Sequence, residues 1–353
     1  MRQRYYYLIA GISLVLIIIW LHIALIINGY SEGIFALIGT LASTNLFWIL
    51  PAFALFGIAY VLRAIRWWTL LRPFNTKENP VSLFPLLVGG IFLTYVVPLR
   101  AGDIATPYWL REKTGTRFSA GLSSILFARV LDFAALILII IISAFLLFGT
   151  ITGQAFGYLV AGILLVVAFI AFFLLIRSPR LVGMVSRIAG RLFKPSQRLK
   201  EEVPTFVENF AEDLRTDIRS WHSGIAFLIS VPLWIIETMK LTFLALAFAE
   251  TLTIVDSIFV SSISYTGGHL SAILLPAGIG IFIIQLVTLQ TILPGFGIID
   301  TAGIALLDGL VYIIGLSILG VPSIAMMGRG YRELQEEESK SEHEAETSSG
   351  SDG

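Results

Sequence analysis

Charged side chains inside long apolar runs are the first chemistry that this sequence offers. Arg129 and Asp132 stand three apart within 119–147, a spacing that puts both on one helix face and within pairing reach. Arg100 and Asp103 repeat the spacing just upstream. Arg63 and Arg66 close another apolar run one turn apart, followed by Trp67 and Trp68, which read as interface anchors. In the second half Glu237 and Lys240 are three apart, and Asp308 lies about two turns inside a last apolar run. One charge near a helix centre costs about 2.5 to 3.5 kcal/mol on the insertion scale, and each Leu or Ile returns roughly 0.3 to 0.6. A single charge per long helix is therefore tolerable, and the clustering is what carries meaning. Guanidinium forks match phosphate oxygens, and the N-terminus of a half-helix offers free N–H groups to the same anion. Arg63, Arg66, Arg100, Asp103, Arg129 and Asp132 thus read as a cytoplasmic basic vestibule that leads to a half-helix and suits a phosphate ligand. Plainer readings stand beside this one. Arg63 and Arg66 could obey orientation rules alone, and Arg129 with Asp132 could be a structural ion pair. Lys240 could pair with Asp308 across helices, while His22 and His269 read as satisfied core residues.

The elements that would position these groups are set by composition. Of 353 residues, 56% are hydrophobic and 14% charged, where a soluble domain carries nearer a quarter charged. Apolar runs of about 20 residues, enough to cross roughly 30 Å of hydrocarbon, recur along the chain. Hydropathy places spanning helices near 6–28, 45–70, 119–147, 153–176, 222–249 and 301–326. The first is too long for a signal-peptide core and reads as a retained helix. Under this map Lys and Arg collect on the cytoplasmic side, whereas the outer loops carry only Glu32, Glu250, Asp256 and Asp300. That asymmetry orients both termini to the cytoplasm of a cell-membrane protein.

Two further apolar stretches, 81–98 and 257–276, are interrupted by Gly and Pro and read as re-entrant half-helices. Broken backbone survives at membrane depth only where protein or a wet cavity surrounds it. Gly89, Gly90, Pro98 and Gly102 recur as Gly267, Gly268, Pro276 and Gly280, always 178 residues later. A duplicated unit follows, and an odd number of crossings between the helices at 45–70 and 222–249 inverts the second copy. Inverted repeats with broken helices near the midplane are a common transporter architecture. The expected fold is an all-α polytopic membrane protein with about six spanning helices and two re-entrant half-helices in an inverted repeat. Its units are a first helix and outer loop (1–44), a first repeat (45–176), a basic cytoplasmic loop (177–220), a second repeat (221–327) and an acidic tail (328–353). The loop puts Leu181, Met184, Ile188 and Leu192 on one face among Arg180, Arg187 and Arg191, as an interfacial helix would. The Glu- and Ser-rich tail cannot bury a core and reads as disordered.

The runs RAIRWWTLL (63–71), YVVPLRAGDIATPYWL (95–110), FARVLD (127–132) and LLPAGIGIF (274–282) resemble the flippase-like family typified by the transmembrane region of lysylphosphatidylglycerol synthase. The resemblance covers about residues 45 to 325. It implies movement of a lipid with an anionic or modified head group between leaflets. Pro98, Arg100, Gly102, Asp103, Arg129 and Asp132 match the family's polar core, and Pro276, Gly278 and Gly280 its second re-entrant turn. Two positions depart from the pattern: Ile283 or a neighbour stands where the family usually has Glu, with Gln285 as a weaker substitute, and Asp308 stands where it has Arg.

No cysteine is present, which excludes disulfides, thiolate metal sites and a Cys nucleophile. No P-loop, zinc spacing or nucleophile motif occurs, and the longest soluble stretch, 177–220, is below domain size. No cofactor, metal or nucleic-acid partner is expected. The function expected first is translocation of an anionic phospholipid or a polyprenyl-phosphate-linked lipid. The alternatives are an accessory subunit presenting lipid to a separate transferase, and an integral transferase using Asp103 or Asp132 as base.

Overall fold

The computed structural model describes residues 39, 41–96, 100–147, 197–271, 277–292 and 295–349. Among them the chain is helical: α1 Ile49–Leu71, α2 Pro80–Val96, α3 Ala101–Thr114, α4 Phe118–Leu146, α5 Gln197–Arg219, α6 Trp221–Ala247, α7 Ile254–Ser271, α8 Ala277–Ile292 and α9 Ile298–Ser349. Short 3₁₀ turns, Leu46–Trp48 and Arg72–Phe74, flank α1. Four of the six expected spans correspond to helices long and apolar enough to cross a membrane: Leu46–Phe74, Phe118–Leu146, Trp221–Ala247 and Ile299–Met327. The other two, 6–28 and 153–176, lie outside the described residues, as does the interfacial face at 181–192. The four long helices expose large apolar side chains, among them Ile58, Val61, Ile142, Phe145, Leu228 and Ile318. Such a surface suits hydrocarbon, since water would leave that area unfavourably exposed.

α1 and α6 form the antiparallel spine of the bundle. The Asn45 N–H donates to the Ala247 carbonyl at one end, and Leu70 packs with Ala226 at the other. The Trp67 side chain is buried among Leu83, Leu110 and Ile125 and donates its indole N–H to Ser124 Oγ at 3.0 Å. It is therefore a core residue rather than the interface anchor expected. Trp68 is half-buried beneath the Arg72 guanidinium, 4.4 Å from its ring.

Both interrupted segments fold as helical hairpins. α2 and α3 run antiparallel, with the Lys113 ammonium donating to the Ser82 carbonyl near the open end and Thr94 against Gly102 near the tip. Gly90 faces Gly102: a Cβ on Gly90 would lie 3.2 Å from the Gly102 carbonyl oxygen and collide with Thr106 Oγ1. α7 and α8 repeat this crossing. There a Cβ on Gly280 would lie 3.4 Å from the Gly268 Cα and collide with Ser271 Oγ. No residue larger than glycine fits backbones so close. The tips, with Pro98 and Pro276, are outside the described residues.

The hairpins open toward opposite ends of the bundle. Leu83, Leu110 and Trp109 of the first pack with Leu71, Phe74 and Met327. Leu252, Val260 and Leu289 of the second pack with Ala52, Ala247 and Ile304. Each hairpin therefore begins and ends at one end, and the two ends differ.

α5 is amphipathic and docks beneath α4. Asp213 accepts from Ser119 Oγ at 2.6 Å and from Arg117 at 2.7 Å, and Asp217 accepts from Ser123 Oγ. At the far end α9 continues as helix to Ser349, through the acidic stretch whose composition suggests a disordered tail. Glu, Lys and Gln are strong helix formers and can extend an existing helix without a core.

Candidate functional site

Polar side chains from six helices converge between the two hairpins. α1 supplies Arg63 and Arg66, α3 Asp103 with Arg100 at its N-cap, α4 Arg129 and Asp132, α6 Glu237 and Lys240, α7 Tyr265 and α9 Asp308. A helix can present two such groups on one face only at spacings of three or four, and every pair here obeys that rule.

The first group is an alternating chain. Arg100 Nε donates to Asp103 Oδ2 at 2.6 Å, and Arg129 bridges Asp103 Oδ1 (3.1 Å) and Asp132 Oδ2 (3.2 Å). Arg66 holds the same Asp132 with both terminal nitrogens and donates to Ser230 Oγ at 3.1 Å. Arg100 also donates to the His269 carbonyl at 3.0 Å, which ties the first hairpin to the second. Its backbone is left-handed, φ 52° and ψ 41°. That conformation costs a non-glycine residue of order 1 kcal/mol and persists only where neighbours enforce it.

The second group is built around one lysine. Lys240 Nζ donates to Glu237 Oε1 at 2.8 Å and to Tyr265 Oη at 2.6 Å, and it is ion-paired with Asp308 Oδ1 at 3.1 Å. Arg63 donates to Glu237 Oε2 at 3.3 Å, and the Tyr265 hydroxyl donates to Asp308 Oδ2 at 3.2 Å. Aromatic faces close the space around these cations. The Arg63 guanidinium sits 4.7 Å from the Trp234 ring, and the Lys240 ammonium 4.3 Å from Tyr312. Such contacts gain roughly 1 to 2 kcal/mol when desolvated.

Trp234 joins the two groups. Its indole N–H donates to Asp132 Oδ1 at 2.8 Å while its ring carries Arg63 and touches Tyr265 and His269. His269 itself has Nδ1 2.6 Å from the Tyr265 carbonyl oxygen, as a satisfied interior histidine should.

The six arginine and aspartate residues named from sequence are thus brought together, and Glu237, Lys240 and Asp308 join them from the other side. Arg63 and Arg66 do not form the open vestibule expected of them; both are buried and ion-paired. The exposed edge belongs to Arg100 and Arg129, whose side chains keep 19% and 13% of their surface. The sequence glycines line the hairpins beside the site: Gly89 against Met327 and Trp109, Gly267 against Ile284, and Gly278 beneath the Tyr95 ring. Gln285, weighed as a polar substitute, is buried on α8.

Trp234, Tyr265, Tyr312 and Ser230 were not singled out from sequence. Ser230, Trp234 and Glu237 fall on one helical stripe of α6, the signal that could have marked them. Chemically, the assembly can hold an anion against guanidinium donors inside an apolar bundle. Among the described residues no three His, Cys, Asp or Glu converge to hold a metal ion.

A model of the lysylphosphatidylglycerol synthase transmembrane region matches residues 8–320. Three archaeal relatives, each named a UPF0104 membrane protein, are 25% identical. That of Methanothermobacter thermautotrophicus aligns over 76% of this chain and 80% of its own length. The relative in Pyrococcus horikoshii aligns over 79% and 84%. The one in Methanocaldococcus jannaschii aligns over 90% and 95%. No solved structure matches the chain. With its apolar-faced spanning helices and a match over nearly all of its length, the chain is an integral multi-pass membrane protein and belongs to the family of the lysylphosphatidylglycerol synthase transmembrane region.

Proposed function

We propose that this protein moves a lipid with an anionic head group, an anionic phospholipid or a polyprenyl-phosphate-linked lipid, between leaflets of the cell membrane. The observation that carries the proposal is the buried ion chain from Arg100 to Asp308. Nine ionisable side chains inside an apolar bundle are a large expense for structure alone, since well-packed apolar residues hold helices together at least as well. The head group enters at the Arg100 and Arg129 edge beside Asp103, with Asp132, Arg66 and Arg63 as the buried charges behind that edge, while the tails stay in lipid.

The architecture supports alternating access. α1 and α6, the opening helices of the two proposed repeats, pack antiparallel, and the glycine-crossed hairpins enter from opposite ends. An inverted repeat with re-entrant hairpins, both termini cytoplasmic, accounts for both features, and exchanging the conformations of the halves would open one site to each side in turn.

Purified protein in liposomes with a fluorescent anionic lipid and a leaflet-specific quencher tests this. Accelerated exchange, lost in folded Arg129→Ala and Arg100→Ala variants, is the expected result. Unchanged exchange in both variants rejects the site. Binding without exchange would instead assign an accessory role, presenting lipid to a separate transferase.

A further inference from the structure

We infer, building on that reading, that the head group selected here carries one net negative charge: a phosphodiester-linked lipid rather than a lipid phosphomonoester. The inference comes from the charge of the site itself. Five cations, Arg63, Arg66, Arg100, Arg129 and Lys240, are matched by four carboxylates, Asp103, Asp132, Glu237 and Asp308. Each carboxylate has a cation at hydrogen-bond distance: Asp103 at 2.6 Å, Asp132 at 3.2 Å, Glu237 at 2.8 Å and Asp308 at 3.1 Å. With these pairs ionised the formal sum is one positive charge. His269, as a neutral imidazole, leaves it unchanged.

The surplus is localised. Around Lys240 the two cations and two carboxylates cancel, so the excess belongs to the group of Arg66, Arg100 and Arg129 with Asp103 and Asp132. Arg66 is buried and spent on Asp132 and Ser230. Arg100 and Arg129 form the exposed edge, and their guanidinium groups flank the single carboxylate of Asp103. A ligand at that edge meets two guanidinium groups and one carboxylate.

Charge in low-dielectric surroundings must be balanced, and an unbalanced unit commands decades in an equilibrium constant. One incoming negative charge brings the site to zero. A phosphomonoester, close to doubly charged above its second pKa near 6, leaves it negative. A zwitterionic head group, whose phosphate is balanced by its own ammonium, leaves it positive.

The test uses full-length protein in zwitterionic vesicles at pH 8, each with one trace fluorescent lipid and an external quencher. Phosphatidylglycerol carries one charge, phosphatidic acid two and phosphatidylcholine none. The singly charged lipid should exchange on the order of tenfold to a hundredfold faster than the other two. Asp103→Asn raises the sum to plus two and should turn the preference toward phosphatidic acid, whereas Arg100→Gln lowers it to zero and should favour phosphatidylcholine. Lys77→Gln, an exposed change outside the network, should leave the ranking intact. If Asp103→Asn fails to fold, Arg100→Gln alone decides. Equal exchange of the three lipids, or a ranking that ignores both substitutions, overturns the charge rule and leaves translocation standing. Absence of exchange for every lipid overturns translocation itself. Leakage of a trapped soluble glycerophosphodiester without lipid exchange would overturn both, by making the phosphodiester a solute.

Discussion

The indole N–H of Trp234 donates to Asp132 Oδ1 over 2.8 Å, and through that bond two ion groups on opposite sides of the bundle become one. Asp132 is already claimed by Arg66 and Arg129, so the tryptophan is its third donor. The same ring carries the Arg63 guanidinium, which belongs to the Glu237 and Lys240 group. Trp234→Phe keeps an aromatic surface for Arg63 and deletes the donor together with one ring of the buried indole. It should cost about 1 to 3 kcal/mol, as a buried charged acceptor losing one partner does. Thermal unfolding in detergent measures that cost, and an unchanged midpoint would show that the bond bridges nothing of consequence.

Lys240 holds two carboxylates from different helices, so its removal should be worse than its own small area suggests. Lys240→Met keeps the stem but leaves Asp308 facing only the Tyr265 hydroxyl, while Glu237 retains Arg63. Breaking a buried pair from one side typically costs about 3 to 5 kcal/mol. Adding Asp308→Asn removes the orphaned charge and should recover more than half of the loss. A double variant no more stable than Lys240→Met alone would place the damage in packing rather than charge.

Much of this site was legible because helical spacing is rigid. Arg100 with Asp103, Arg129 with Asp132 and Glu237 with Lys240 are each three apart, and each pair is in contact. The recurrence of Gly90, Gly102, Gly268 and Gly280 at one offset was legible, but it pointed to turns; the four lie within helices, where only glycine permits so close an approach. Other features were hidden for a physical reason. Arg63 and Arg66 look like cytoplasmic anchors beside Trp67, and only the partners Glu237 and Asp132, distant in sequence, reveal that they are interior. Asp213 and Asp217 were invisible, because acids on a charged amphipathic helix normally face water. Their burial depends on Ser119 and Ser123, at matching four-residue spacing on another helix.

Glycine substitutions should separate crossing positions from merely helical ones. Gly102→Ala would drive a methyl into the Gly90 carbonyl, a backbone atom that cannot rotate away. It should cost about 1 to 3 kcal/mol or more and spread the first hairpin. Gly57, on α1, has open space around the same added atom. Gly57→Ala should be neutral or stabilise by roughly 0.5 to 1 kcal/mol through helix propensity alone. Parallel melting curves of the two variants check the contrast, and equal midpoints would refute the close crossing.

Asp217 gives the docking of α5 a pH dependence with a definite sign. Its carboxyl is buried, receives one hydroxyl from Ser123 and, among the described residues, has no cation in contact; burial pushes its pKa up to about 8, against the Ser123 hydrogen bond and with a smaller push from Asp213. Of the charged groups that approach it, Asp213 on its own helix is ion-paired with the exposed Arg117 at the N-cap of α4, and among the described residues α6 contributes the Ser223 hydroxyl, which donates to the Asp217 carbonyl. The ordinary value for the unfolded chain is near 3.8. A group whose pKa is raised on folding favours the folded form most below its unfolded value and loses that contribution as pH climbs to the folded one. The hold of α5 on α4 should therefore weaken steadily between about pH 4 and pH 8 and level off above. Asp217→Asn, which keeps an acceptor for Ser123 without charge, should flatten that slope and protect α5 at pH 8. Hydrogen exchange of the α5 amides across this range, in wild type and variant, decides the matter; identical slopes in the two proteins would remove Asp217 as the titrating group.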